Sequence, residues 1–126
     1  EPMRLRQSRL ETYYHRKRMV KKDREGSTYE EYSAASSFSG ESWPASGKVQ
    51  AQQYGQRLGY IRNVKIDGGY AIKPDKNGRL HYILDNGIDL IELDGICLFV
   101  GENTEPDYRI VAIKSYRFLT LEVERT

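Results

Sequence analysis

Along residues 119–124 apolar and polar side chains alternate strictly, with Leu119, Leu121 and Val123 on one side and Thr120, Glu122 and Glu124 on the other. A period of two is the mark of a strand with one dry face, so a half-buried antiparallel strand is predicted here. The runs IDLIEL, ICLFV and YRIVAI before it also read as strands, separated by Gly95, the GENTEPD loop and the KSYR turn. Further upstream, Tyr60, Arg62, Val64 and Ile66 alternate against Ile61, Asn63 and Lys65, until Asp67-Gly68-Gly69 breaks the pattern. Between them YAIK and RLHYIL flank Asn77-Gly78, the strongest hairpin signal in the chain.

The N-terminal third is less regular. Residues 10–22, LETYYHRKRMVKK, fit one strand, DREGS a reversal, and TYEEYSAASSFSGESW a second strand. Thr28 with Glu31 also matches a capping box. A helix there would contain Ser33, Ser36, Ser37, Ser39 and Gly40, all poor helix formers, so the strand is preferred. Pro44 ends it. Ser46 is then placed to cap a short helix, KVQAQQYGQRL, with Gly55 or Gly59 to stop it. No internal repeat is present. The predicted fold is mostly β: a small antiparallel β-barrel or sandwich with one short helix, an extended N-terminal arm over residues 1–9, a loop hairpin, and a single domain over 10–126.

Charge changes this picture more than composition does. With 126 residues, 38% hydrophobic and 30% charged, the chain has a modest core and a large polar surface, as befits one that completes its burial in an assembly. No apolar run reaches the roughly 18 residues of a membrane span, and no signal-peptide apolar region follows the basic start, so an intracellular protein without a membrane partner is expected. Cys97, the single cysteine, lies in ICLFV and reads as a buried, inert thiol. The net charge of +2 conceals an asymmetry: residues 1–24 carry nine Lys/Arg against three Asp/Glu, and the other 102 carry eleven against fifteen. A basic arm on an acidic body points to nucleic-acid contact or to docking between copies, with Arg4, Arg6 and Arg9 as partner-interface candidates.

Catalytic signatures are missing. There is no phosphate-binding glycine loop and no dinucleotide fingerprint, and His15 and His81 have no metal-ligand spacing, so each reads as a surface or strand residue. Asp85, Asp89 and Glu92 read as a solvated strand edge rather than a carboxylate pair at work. Neither an enzyme nor a cofactor or metal site is expected. Ten tyrosines stand out, and Tyr13, Tyr14, Tyr29 and Tyr32 fall on or beside the basic segment. Aromatics among Arg and Lys serve protein interfaces or stack single-stranded bases. Tyr13 and Tyr14 therefore join the interface candidates, and the alternative to a structural role is a small nucleic-acid-binding β-barrel acting through a basic, Tyr-rich face. Trp43, ahead of Pro44, is expected to anchor either the barrel core or a subunit seam.

The order of these features resembles a known family. Trp-Pro-Ala-Ser-Gly before the helix, Tyr54-Gly55, Asp94-Gly95-Ile96, and Pro106-Asp107-Tyr108 through Glu124 are similar to the head–tail adaptor, joining, head-closure or stopper proteins of tailed bacteriophages, above all those of Gram-positive hosts. The likeness covers residues 10–125 and rests on packing and turn patterns. It implies a β-barrel subunit, made in the bacterial host cytoplasm and placed in the virion neck, in a homo-oligomeric, dodecameric ring. The portal or adaptor protein would lie above the ring and a tail terminator or tail protein below. Packaged double-stranded DNA would occupy its channel. It further implies that the hairpin 67–81 projects into that channel, where Lys73, Lys76 and Arg79 face DNA phosphates.

Overall fold

In a computed structural model of the chain, residues 9–126 are described. Six strands close into a barrel in the order β1 (Glu11–Arg16), β4 (Ser36–Pro44), β5 (Ile61–Ile66), β11 (Leu119–Arg125), β10 (Tyr108–Ser115) and β9 (Gly95–Cys97), and β9 returns to β1. All of these pairings are antiparallel. Two smaller sheets leave the barrel. One is a ribbon of β2 (Arg18–Lys22) and β3 (Thr28–Tyr32); the other combines β6 (Tyr70–Pro74), β7 (Leu80–Leu84) and β8 (Asp89–Leu90). The mostly-β barrel with one short helix is thus what the chain forms.

The alternation legible in the sequence fills the barrel. Tyr13, Phe38, Val64, Ile66, Ile96, Ile110, Leu119, Leu121 and Val123 form one buried cluster, continued by Tyr82, Leu84 and Leu90 from the three-stranded sheet and Ile88 from the turn before β8. Gly40 lets β4 approach β5 closely, because a Cβ there would lie 2.5 Å from the Lys65 carbonyl oxygen. A bulge between Ile110 and Ala112 switches the phase of β10. Ile110 and Ile113 then both pack on the barrel core, while Val111 turns outward under the helix.

Several elements differ from the sequence reading. Each of the two long N-terminal strands is broken, at Lys17 and at 33–35, so that its inner part closes the barrel and its outer part becomes the ribbon. The Lys17 N–H is taken by the Ser33 hydroxyl, and Arg16 donates to the Ser33, Tyr32 and Thr104 carbonyls, which fixes the break. Thr28–Tyr32 is strand, so no capping-box helix starts there. IDLIEL shrinks to the two residues of β8, because Ile91–Asp94 turns, with Leu93 at φ +77. ICLFV contributes only through Cys97, since the Asp107 carboxylate takes the next two N–H groups, those of Leu98 and Phe99. Gly95 lies within β9 rather than separating strands.

Helix α1 (Lys48–Tyr54) begins at Gly47, not at a Ser46 cap; the Gln50 side chain reaches back to accept from the Ser46 N–H instead. Gly55 ends it at φ +56, and a 3-10 segment, Gly55–Tyr60, leads into β5. This unit covers the polar side of β11. Glu122 and Glu124, expected in water, are 4% and 9% exposed. Glu122 accepts from the Tyr54 hydroxyl (2.7 Å) and the Gln50 amide (2.6 Å), and Glu124 accepts both arms of the Arg57 guanidinium at 2.8 and 2.6 Å. β11 is therefore covered on both faces. No helix among the described residues is long and apolar enough to cross a membrane.

Candidate partner and nucleic-acid interfaces

Three hairpin tips share one construction. Asp23 with Ser27, Asp75 with Arg79, and Leu84 with Ile88 each close a three-residue loop whose last member is a glycine at φ +85, +79 and +91 respectively. A type I turn followed by a left-handed residue gives this shape, and glycine adopts it without strain. In the first two, the aspartate Oδ1 also accepts from the N–H groups two and four residues on. Asn77-Gly78 thus marks the hairpin correctly, within a loop one residue longer than the tightest kind.

Lys73, Lys76 and Arg79 are all brought to the outer part of the β6–β7 hairpin, and all are exposed. They are not equivalent. Arg79 donates to the Glu92 carbonyl at 2.9 Å, so part of its guanidinium is spent on tying the hairpin to the 91–94 turn. His81 lies between two carboxylates: Nδ1 is 2.9 Å from Asp89 and Nε2 is 3.1 Å from Asp75. Asp89 first, and then Asp75, hold the His81 imidazole above its usual range, and the same contact with His81 holds Asp75 below the usual carboxylate range. Lys17 reaches the same Asp89 at 3.5 Å, joining the hairpin sheet to the break between β1 and β2. The sequence marks His81 only as a surface or strand residue. Its role as a clasp depends on β8 folding beside β7, which spacing alone does not reveal.

His15 is a second departure. It is a strand residue, but buried at 5% exposure, and its Nε2–H donates to Asp94 Oδ2 at 2.8 Å. Asp94 is fully buried and also accepts from the Arg18 and Ile91 N–H groups. One carboxylate therefore joins β1, the base of the ribbon and the turn ahead of β9. The sequence offered Asp94-Gly95 only as a turn.

Of the partner-interface candidates, Arg4 and Arg6 lie outside the described residues, and Arg9 is exposed. Tyr13 is a correction: its ring is 1% exposed inside the barrel against Phe38, and its hydroxyl donates to Ser42, so it offers no surface to a partner or a base. Odd-numbered positions of β1 face inward, and Tyr13 shares that phase with His15. Tyr14, on the outer phase, is half-buried. Trp43 is 38% exposed and so is not a core anchor. It forms one wall of a groove of about 360 Å³ on the outer barrel face, with Val49 and Gln53 of α1, Tyr116, Lys114, and Glu122 at the floor. Tyr29 is exposed on the ribbon, where Lys21 and Arg18 pair with Glu31 and Glu30 at 2.8 Å each.

Among the described residues no three His, Cys, Asp or Glu side chains converge in a way that could hold a metal. Burial raises the pKa of the Cys97 thiol, which suits a packing residue rather than a nucleophile. Among the described residues the surface features include a pair of protruding ribbons and the groove beside Trp43. No family model, curated protein or solved structure matches this chain.

Proposed function

We propose that this chain is a structural subunit of the neck of a tailed bacteriophage, a head-closure or head–tail connector protein. In this reading it forms a ring below the portal or adaptor, retains the packaged double-stranded DNA and offers the tail its attachment surface, without catalysis. The observation that carries the reading is the division of labour within the fold. A filled, closed barrel supplies rigidity, while the β2–β3 ribbon and the outer β6–β7 hairpin stand away from it with nearly all their residues exposed. Ordering such ribbons costs conformational entropy that a lone chain recovers poorly and an assembly recovers well. Virion location, the dodecameric copy number and the partners above and below follow from the family resemblance of residues 10–125 and belong to the same proposal. Immunogold labelling and mass spectrometry of purified phage particles from the source test it. Label at the head–tail junction, in a fixed copy number per particle, is the expected result. A protein absent from particles would overturn the reading.

A further inference from the structure

The two ribbons carry unpaired backbone edges, and the turns fix which residues present them. In an antiparallel pair, residues alternate between those that bond to the partner strand and those whose N–H and C=O point away from it. Asp75 bonds to Arg79 across the hairpin tip, so the parity of β6 assigns Lys73 and Ala71 to the inner ladder and points Tyr70 and Ile72 outward. Pro74 is also on the outward phase, where its missing N–H costs no internal bond. By the same count, Asp23 bonds to Ser27 and Lys17 to Ser33, so Thr28, Glu30 and Tyr32 of β3 point outward. Internal contacts agree with this parity, since Arg16 takes the outward Tyr32 carbonyl and Asp94 takes the outward Arg18 N–H of β2. For Thr28, Glu30 and Ile72 no such partner exists among the described residues, and β3 and β6 each pair with a single strand.

Resting on the ring reading, we infer that β3 of one copy adds antiparallel to the free edge of β6 in the next, joining ribbon and hairpin sheet into one five-stranded sheet across each subunit seam. Charge selects this pair of edges. β3 carries Glu30 and Glu31, whereas β6 carries Lys73 with Lys76 and Arg79 close by, Asp75 being turned to His81; the outer edge of β2 carries Arg18, Lys21 and Lys22 and would be repelled, and that of β8 is met at Asp89 by Lys17. Glu30 and Glu31 are held at home only by exposed ion pairs, which a new neighbour can share. With Ile72 opposite Glu30, both residues are on their outward phase and exchange two backbone bonds, and the Pro74 carbonyl accepts from Thr28. Lys73 then falls opposite Tyr29, whose exposed ring gives it a cation–π partner. Lysine and proline on an edge normally discourage indiscriminate strand addition. Here they leave a short edge fit for an acidic strand.

Cysteine pairing in the full chain tests the seam, because Cys97 is fully buried and the introduced thiols are the accessible ones. Ile72→Cys and Glu30→Cys together, oxidised in assembled particles, should give a ladder of covalent multimers that neither single variant gives. Ile72→Pro removes one outward N–H while sparing the β6–β7 ladder, so the isolated chain should melt like wild type. Its incorporation into rings should fall about tenfold, the loss expected when each seam forfeits one well-made hydrogen bond. Rings that form normally with Ile72→Pro, or that yield no ladder from the double cysteine variant, would overturn the seam and leave the neck reading standing. A wild-type chain that never enters particles would overturn the neck reading and the seam with it.

Discussion

Asp94 and His15 form a buried pair whose remaining acceptor capacity is filled by two backbone N–H groups. Removing the carboxylate strands three donors in a dry site. Asp94→Ala should lower the unfolding free energy by about 3–5 kcal/mol in urea titration, the usual consequence of breaking a buried pair; a loss under about 1 kcal/mol would mean that water replaces it easily. Trp43 is the opposite case. Because it is partly exposed, Trp43→Ala should cost only about 1–2 kcal/mol of stability; under the neck reading it should also impair attachment to heads, and unimpaired attachment would place the groove away from any interface of that kind. His81 gives a pH signature. Its folded pKa lies above the ordinary 6.5, so the clasp contributes fully below that pH and its contribution is lost as pH rises through the folded value. Asp75 is depressed below 3.8, so its share is present above that pH and fades as pH falls through its folded value. Protection of the β6–β7 amides, their hydrogen exchange compared with the base-catalysed rate of a free peptide at the same pH, should therefore be greatest between these limits and fall toward alkaline pH. In His81→Asn the alkaline change should vanish, and an unchanged profile would dissociate His81 from it.

At the scale of elements, the tightest constraint is the contact of β4 with β5. A methyl group at Gly40 would lie 2.5 Å from the backbone oxygen of Lys65, and neither strand can retreat without opening the barrel. Gly40→Ala should therefore cost about 3 kcal/mol, at the upper end for overpacking, and lower the thermal midpoint accordingly; a wild-type midpoint would show that the ladder there is looser than its register implies. Glycine is helix-weakening by propensity, but at this position its missing Cβ is what matters. The helical unit also acts as an element. Tyr54, Gln50 and Arg57 supply donors to a face of β11 that would otherwise need water, and burial together with Glu122 pushes the Tyr54 phenol well above its ordinary range. The short helix is thus a polar lid over two strands, packed on Ala45 and Ile61.

For the whole molecule, function under the neck reading depends on charges repeated around a ring, where a modest excess per chain becomes a substantial field. Within one chain Lys73 and Lys76 make no ion pair or side-chain hydrogen bond among the described residues, whereas Arg79 holds the Glu92 carbonyl; across the seam Lys73 also faces the neighbour's Tyr29. Lys76→Ser, which spares the lysine facing the seam, should leave thermal stability unchanged and increase DNA leakage from tailless particles, with the difference shrinking at high salt. Equal leakage at every salt concentration would place this hairpin away from the channel. Arg79→Ser should instead loosen the hairpin against the 91–94 turn, so substituting all three together would mix these effects.

Local pattern was enough to determine the fold class. A period of two in LTLEVE, YIRNVKI and YRIVAI, glycine turns at DREG and DKNG, and Pro44 before a run of helix formers are signals carried within a few residues, and each names an element that forms. Inner and outer positions of β11 and β5 followed from the same alternation. What local pattern could not decide is which polar face would be covered. Glu122 and Glu124 read as solvent-facing because alternation reports chemistry, not neighbours, and α1 reaches them only through a chain reversal of more than sixty residues. The same limit applies to Tyr13 and to the His15–Asp94 pair spanning 79 positions, whereas the His81 clasp joins carboxylates six and eight positions away and needed only the turn into β8. Burial of a polar group is a property of tertiary contact: its partners must arrive from elsewhere in the chain, and no window of sequence contains both.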